Sequence, residues 1–82
     1  MFSEIFAHFK GKTVRTYIFH KLYGKQKLTI CDFQPLCVKD KIGFMIGDQE
    51  IFLYCDEIES IDYEESILKI NGTLQEIILE II

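Results

Sequence analysis

Short runs in which hydrophobic and polar residues alternate cover most of the chain after residue 12, and this period of two constrains the fold most strongly. In residues 13–20, an extended backbone places Val14 and Ile18 on one face. Tyr17 and Phe19 then lie on the opposite face. Further apolar runs follow, and most are bounded by glycine, proline or acidic turn residues. The pattern predicts a mainly β fold built from short antiparallel strands.

These strands are predicted to form a small, strongly bent, barrel-like sheet with five or six members. Pro35 interrupts the second strand, and because proline cannot donate to a ladder it indicates a bend, a bulge or an edge. If residues 27–38 are counted as one interrupted strand, the fourth strand covers residues 50–55. It is apolar on both faces, which is typical of a strand that is buried on both sides or used as an interface. The predicted strands cover residues 13–20, 27–31, 36–38, 42–46 and 50–55, and a hairpin follows residue 67.

A short helix is predicted over residues 1–10, with Gly11 ending it. An isolated helix of this length is marginal in water, so its apolar stripe must dock on the sheet, where it would plug one open end. A chain of 82 residues has no length for a second core, and one domain over residues 1–82 is expected. The stripe consists of Phe2, Ile5, Phe6 and Phe9.

The last ten residues fit two structures. Asn71-Gly72 lies between two apolar runs and is a strong hairpin signal, which predicts a strand on each side. The isoleucines that follow also fit helical spacing, and Thr73–Glu76 matches a capping box. The strand is favoured, because β-branched side chains suit a pleated sheet and lose rotamers in a helix.

The expected core combines the helix stripe with the inward residues of the strands. Alternation within each strand decides which residues point inward. The expected members are Phe2, Ile5, Phe6, Phe9, Val14, Ile18, Leu28, Ile30, Val38, Ile42, Phe44, Ile46, Ile51, Leu53, Ile58 and Ile61.

The net charge of -4 conceals an asymmetry along the chain. Residues 1–27 carry six cations and a single acid, whereas residues 48–82 carry ten acids and a single cation. Such a split produces a dipolar surface if the two halves lie on different faces. A basic face could meet nucleic acid or an acidic partner, and the two surfaces could also match head to tail between copies of the protein.

Composition narrows the class of protein further. Hydrophobic residues make up 49% of the chain, which excludes intrinsic disorder, and no apolar run approaches the length of a membrane span. Cys31, Cys37 and Cys55 are an odd number without close pairs, which favours reduced, buried thiols in a cytoplasmic protein without a membrane partner.

Chemistry-bearing motifs are absent from the sequence. The five glycines are scattered at turns and form no phosphate-cradling loop, and no serine lies in a nucleophile elbow. The cysteine and histidine spacing matches no structural zinc site. The sequence therefore predicts a protein that is not an enzyme and that uses no cofactor and no metal.

One strand could bind single-stranded nucleic acid. Residues 15–21 alternate cations with aromatic rings on the outward face, and bases stack on rings while cations contact phosphates. In the competing arrangement, Tyr17 and Phe19 pack against the apolar stripe of the helix. This arrangement is favoured, because the helix needs a hydrophobic surface to pack on. The candidate nucleic-acid face consists of Lys12, Arg15, Tyr17, Phe19, Lys21, Lys25 and Lys27.

One copy of so small a domain cannot bury all of its hydrophobic residues. Edge strands pair readily with copies of themselves, and closed symmetric assemblies are the usual outcome. The preferred functional hypothesis is therefore an assembly module that forms homo-oligomers and binds a protein partner. RNA or single-stranded DNA binding is the alternative. The candidate oligomer interface consists of Phe52, Tyr54, Ile78 and Ile82.

Residues 1–62 resemble the Sm-like small β-barrels, whose architecture is related to SH3-like barrels. The resemblance rests on Phe9–Val14 at the helix-to-strand corner, on Cys31–Val38 at an Asp-containing bend, and on Glu57–Ile61 as a closing strand. It implies ring assembly through strand edges and, for many members of the family, binding of uridine-rich RNA.

A second, weaker resemblance covers residues 28–81. Leu28–Ile30, Ile42–Phe44, Ile61–Glu65 and Ile70–Ile77 are similar to segments of the small β proteins of the YabP type. That resemblance implies a role in spore assembly.

Overall fold

The computed structural model describes residues 2–82, which form one short α-helix, eight β-strands and one turn of 3-10 helix. The predicted mainly β fold with an N-terminal helix is therefore confirmed. The elements are α1 (Phe2–Ala7), β1 (Val14–His20), β2 (Gly24–Ile30), β3 (Pro35–Val38), β4 (Lys41–Ile46), β5 (Gln49–Tyr54), β6 (Ile58–Glu64), β7 (Ile67–Gly72) and β8 (Gln75–Ile81).

The strands form two antiparallel sheets and do not close into a barrel. One sheet has five strands in the order β2-β1-β8-β7-β6, and the other has three in the order β3-β4-β5. The chain passes between the sheets at two corners. At the first, Asp32 adopts a positive φ of 56° and Pro35 follows; at the second, residues Cys55–Glu57 form the 3-10 turn. The interrupted second strand of the prediction becomes β2 and β3 at the first corner, and β6 follows β5 after the second corner. The described residues therefore form eight strands instead of the expected five or six.

A single hydrophobic cluster joins both sheets and the helix segment. Ile42, Phe44 and Leu53 come from the three-stranded sheet, and most of the other members come from β1, β7 and β8. Seven expected core residues are buried, and six more pack against the cluster while remaining partly exposed. The buried hydrophobic residues are Phe6, Phe9, Val14, Ile18, Phe33, Ile42, Phe44, Leu53, Leu68, Ile70, Ile77 and Leu79.

Two expected core residues differ from the structure, and one falls outside the described side chains. Val38 is 57% exposed, because Cys37 pairs with the buried Ile42 and alternation turns the next residue outward. Leu28 lies near the open edge of the five-stranded sheet and is only half-buried. The side chain of Phe2 lies outside the part of the chain that is described.

Three phenylalanines close one end of the core. The helix ends at Ala7, before the predicted Lys10, yet Phe9 stays fully buried in the following turn. Phe33 packs against Phe6 and Phe9, with ring centroids 5.9 and 6.2 Å apart. Backbone hydrogen bonds tie the first corner to this turn, since Gly11 N donates to Phe33 O over 2.8 Å. These three rings form an aromatic plug contributed by the helix, the turn and the corner together, in place of the expected helix that fills the open end of a barrel.

The C-terminal segment is a strand, and the helical alternative is wrong. Residues Gln75–Ile81 pair with β1 on one side and β7 on the other. This central position buries Ile77 and Leu79 against the core.

Thr16 contains a buried hydroxyl without a hydrogen-bond partner among the described residues. It is fully buried on the core side of β1, between Leu28 and Leu79 on the neighbouring strands. Burying an unpaired hydroxyl costs about 1–3 kcal/mol in protein mutational data. We expect Thr16→Val to raise the free energy of unfolding by about 1 kcal/mol in urea titrations. Thr29→Val on exposed β2 is the control, and a destabilised Thr16→Val would contradict the expectation.

Candidate interaction surfaces

The outer ladder face is the side of the five-stranded sheet that points away from the core. Strand register aligns its side chains in rows, with Tyr17 between Lys27 and Ile78. Phe19 lies in the same way between Lys25 and Glu76. From β2 to β6 the rows are Lys25-Phe19-Glu76-Asn71-Ser60, Lys27-Tyr17-Ile78-Lys69-Asp62 and Thr29-Arg15-Glu80-Ile67-Glu64.

Charge changes sign across these rows, from lysines on β2 to carboxylates on β6. In the middle, Arg15 Nη1 donates to Glu80 Oε1 over 3.2 Å. Lys69 and Glu76 form a longer ion pair of 3.8 Å. These pairs leave the two edge strands as the regions of uncompensated charge on this face.

Five of the seven candidate nucleic-acid residues share the outer ladder face. The Nζ atoms of Lys25 and Lys27 lie 6.0 and 5.7 Å from the ring centroids of Phe19 and Tyr17. The competing arrangement, in which these rings seat the helix, is wrong, because the helix segment packs against Phe33 on the core side instead. The five residues are Arg15, Tyr17, Phe19, Lys25 and Lys27.

The other two candidate cations lie at opposite ends of β1. Lys21 lines an open cavity of about 500 Å³ together with Phe19 and Glu76. Lys12 precedes the strand, beside the aromatic plug, where its carbonyl accepts a hydrogen bond from Phe33 N. Lys12 is therefore not part of the outer ladder face.

A second surface, the apolar face, is the outer side of the three-stranded sheet. Phe52 and Tyr54 lie on it with ring centroids 5.4 Å apart. Lys41 Nζ lies 4.1 Å from the Phe52 centroid and 3.5 Å from Glu50 Oε1, so the cation is held by a ring and a carboxylate. The apolar face consists of Leu36, Val38, Met45, Phe52 and Tyr54 around Gly43.

The four candidate interface residues do not form one surface. Phe52 and Tyr54 share the apolar face, whereas Ile78 lies in the centre of the outer ladder face. Ile82 follows β8, where its backbone N–H donates to Thr13 O and its side chain is exposed. The sequence pattern identified apolar residues correctly but could not assign them to sheets.

The edge strands of the two sheets differ in how well they are protected against pairing with another strand. Edge strand β3 has four residues and starts with Pro35, and Gln75 Nε2 donates to the carbonyl of Phe52 on edge strand β5. Both features protect an edge against further pairing. Strands β2 and β6 have seven residues each and are exposed along most of their length.

The three cysteines are free and lie at the surface, so the prediction that they are buried is wrong. Cys31 and Cys55 lie at the two corners, and Cys37 lies on edge strand β3, where it is on the same side as its partner Ile42 but remains exposed. Within residues 2–82, no three His, Cys, Asp or Glu side chains are grouped to hold a metal ion. No helix in that range has the length and apolarity to cross a membrane.

Partial burial raises the pKa of the Cys37 thiol, and the nearby Cys55 raises it further. We therefore expect the native thiol to need a higher pH for alkylation by iodoacetamide than the same residue in urea-unfolded protein. Mass spectrometry of the Cys37 peptide across a pH series measures the shift. Alkylation of the native protein at the same pH as the unfolded protein, or at a lower pH, would contradict this expectation.

Comparisons with protein-family models, curated proteins and solved structures found no match for this chain. The Sm-like and YabP-type resemblances therefore stay predictions.

Proposed function

We propose that this protein is a non-enzymatic assembly module whose copies associate through the apolar face. The observation that carries the proposal is the grouping of large, exposed hydrophobic side chains on that face, on both sides of Lys41. Val38 is 57% exposed and Tyr54 is 46% exposed, with the half-buried Phe52 next to Tyr54. Exposed apolar side chains that are grouped on one face and bordered by polar residues mark interaction sites.

A second copy of the chain is the occupant that the charges on this face favour. Its cation and anion, Lys41 and Glu50, already form a pair. When two such faces meet across a two-fold axis, each cation can approach the partner's carboxylate, so no charge is left without a counterion. A strongly charged partner would have no net charge to complement here.

Light scattering at micromolar concentration tests this association. We expect a mass above the 9.7 kDa of one chain. Val38→Glu combined with Tyr54→Glu should reduce it, because carboxylates would be buried in the contact. The matched control is Leu22→Glu with Tyr23→Glu, since these side chains are 73% and 84% exposed in the β1–β2 turn. Wild-type protein that scatters as a single chain would overturn the proposal.

Binding of single-stranded nucleic acid is the second candidate, favoured by the shared position of Tyr17 and Phe19 with the β2 lysines. Three features weigh against it: Arg15 is paired with Glu80, lysines already lie near both rings, and β8 adds acids beside them. Fluorescence polarisation with U-rich and A-rich oligonucleotides over a salt series is the test. Salt-sensitive binding that is lost in Arg15→Ala with Tyr17→Ala would establish this function instead.

A further inference from the structure

The two open edges of the five-stranded sheet carry opposite charges. Lys25 and Lys27 point from β2 toward the outer ladder face, and Asp62 and Glu64 do so from β6. On the core side, the same two edges are mainly apolar, with the exposed Gln26 as the polar residue of β2. Leu28 and Ile30 are half-buried on β2, and Ile61 is half-buried on β6. Each edge thus has a charged side and an apolar side, and the two charged sides are complementary.

We propose that copies of this protein associate head to tail, with β2 of one copy adding to β6 of the next. This interface rests on the proposed association of copies but uses a surface distinct from the apolar face. Backbone hydrogen bonds would continue the ladder, as in other cases of strand addition. The bulge between Ile58 and Ser60 leaves residues 60–64 as the regular part of the β6 edge.

Charge selects this mixed pairing over the symmetric ones. Two β2 edges would place Lys25 and Lys27 against the partner's lysines, and two β6 edges would place Asp62 and Glu64 against carboxylates. Like charges directly opposite each other destabilise a strand pair, whereas opposite charges stabilise it. Lysine on an edge strand ordinarily prevents edge association. Here it prevents only the pairing of like edges.

Strand order sets the direction of the new pair. Four antiparallel steps separate β2 from β6, so the two strands run in the same direction. If the outer ladder faces of both copies point the same way, β2 and the partner's β6 pair in parallel. Such a contact uses two different surfaces and leaves one of each free, so it produces a closed ring or an open filament.

Charge reversal on one edge at a time tests the proposal by analytical ultracentrifugation. Lys25→Glu with Lys27→Glu makes both edges acidic, and Asp62→Lys with Glu64→Lys makes both edges basic. We expect each variant alone to associate about tenfold or more weakly through this contact, because like charges then meet at it. An equimolar mixture of the two variants, and a single chain with all four substitutions, should regain wild-type association.

Lys10→Glu with Lys39→Glu is the matched control for the β2 variant, because it makes the same change in net charge at exposed positions outside the strands. Circular dichroism melts confirm that each variant is folded. The proposal is overturned if both edge variants associate like the wild type, or if mixing them restores nothing. If the apolar-face substitutions dissociate the wild-type assembly while the edge variants do not, the proposed function stands and the edge contact falls. A monomeric wild-type protein removes both.

Discussion

Replacing Phe33 with alanine is expected to lower the free energy of unfolding by about 3–5 kcal/mol. The side chain is fully buried and contacts three other buried rings. Of these, the Phe44 ring is nearest, with centroids 5.1 Å apart. Because rings from the helix, from the turn after it and from β4 all meet at this position, the surrounding residues could not close the cavity easily. Domains of this size are stable by only about 5–15 kcal/mol, so the variant should lie close to unfolding.

Urea titration followed by circular dichroism measures this loss. Phe19→Ala is the control, since that ring lies on the outer ladder face and is only half-buried. Phe19→Ala should lower the free energy of unfolding clearly less than Phe33→Ala does. Equal losses in the two variants would show that Phe33 does not hold the aromatic plug together.

Gly43→Ala is expected to destabilise the protein by about 2–3 kcal/mol, at the upper end of the usual cost of overpacking. A Cβ at this position would overlap the backbone oxygen of Ile51 and lie 2.8 Å from Phe52 Cβ. Gly43 is on the central strand of the three-stranded sheet and is paired with Leu36 and Phe52. The backbones of β3 and β5 therefore cannot move away without loss of the hydrogen bonds that join them to β4. The Phe52 side chain should leave its place on the apolar face.

Urea titration again gives the stability, and near-UV circular dichroism reports the Phe52–Tyr54 contact. Gly47→Ala separates crowding from backbone strain. That glycine has a φ of 58° in the β4–β5 turn, and an added Cβ there meets nothing within 4 Å. Strain alone should cost about 1 kcal/mol. A Gly43→Ala variant no less stable than Gly47→Ala would contradict the crowding argument.

Much of the secondary structure could be predicted from the sequence, because it depends on local spacing. The alternation in residues 13–20 correctly separated Val14 and Ile18 from Tyr17 and Phe19. The hairpin signal at Asn71-Gly72 correctly favoured a C-terminal strand. Strand period, turn residues and β-branched side chains act within a few residues of each other, so they leave a readable pattern. The basic half of the outer ladder face could also be predicted from the sequence, because β1 and β2 are neighbours in sequence and form a hairpin.

Other features of the fold and of the surfaces were decided only by the tertiary structure. Phe33 lies in a polar corner with no periodicity, and its place in the core depends on long-range ring contacts and on backbone hydrogen bonds to the helix-to-strand turn. The break of the expected barrel into two sheets depends on where each corner directs the chain. The position of Asp62 and Glu64 across the sheet from the β2 lysines depends on the pairing of β1 with β8, about 60 residues apart in sequence. Such pairings follow from the total burial of the core, not from any short segment, which is why the sequence revealed the charges but not the edges that carry them.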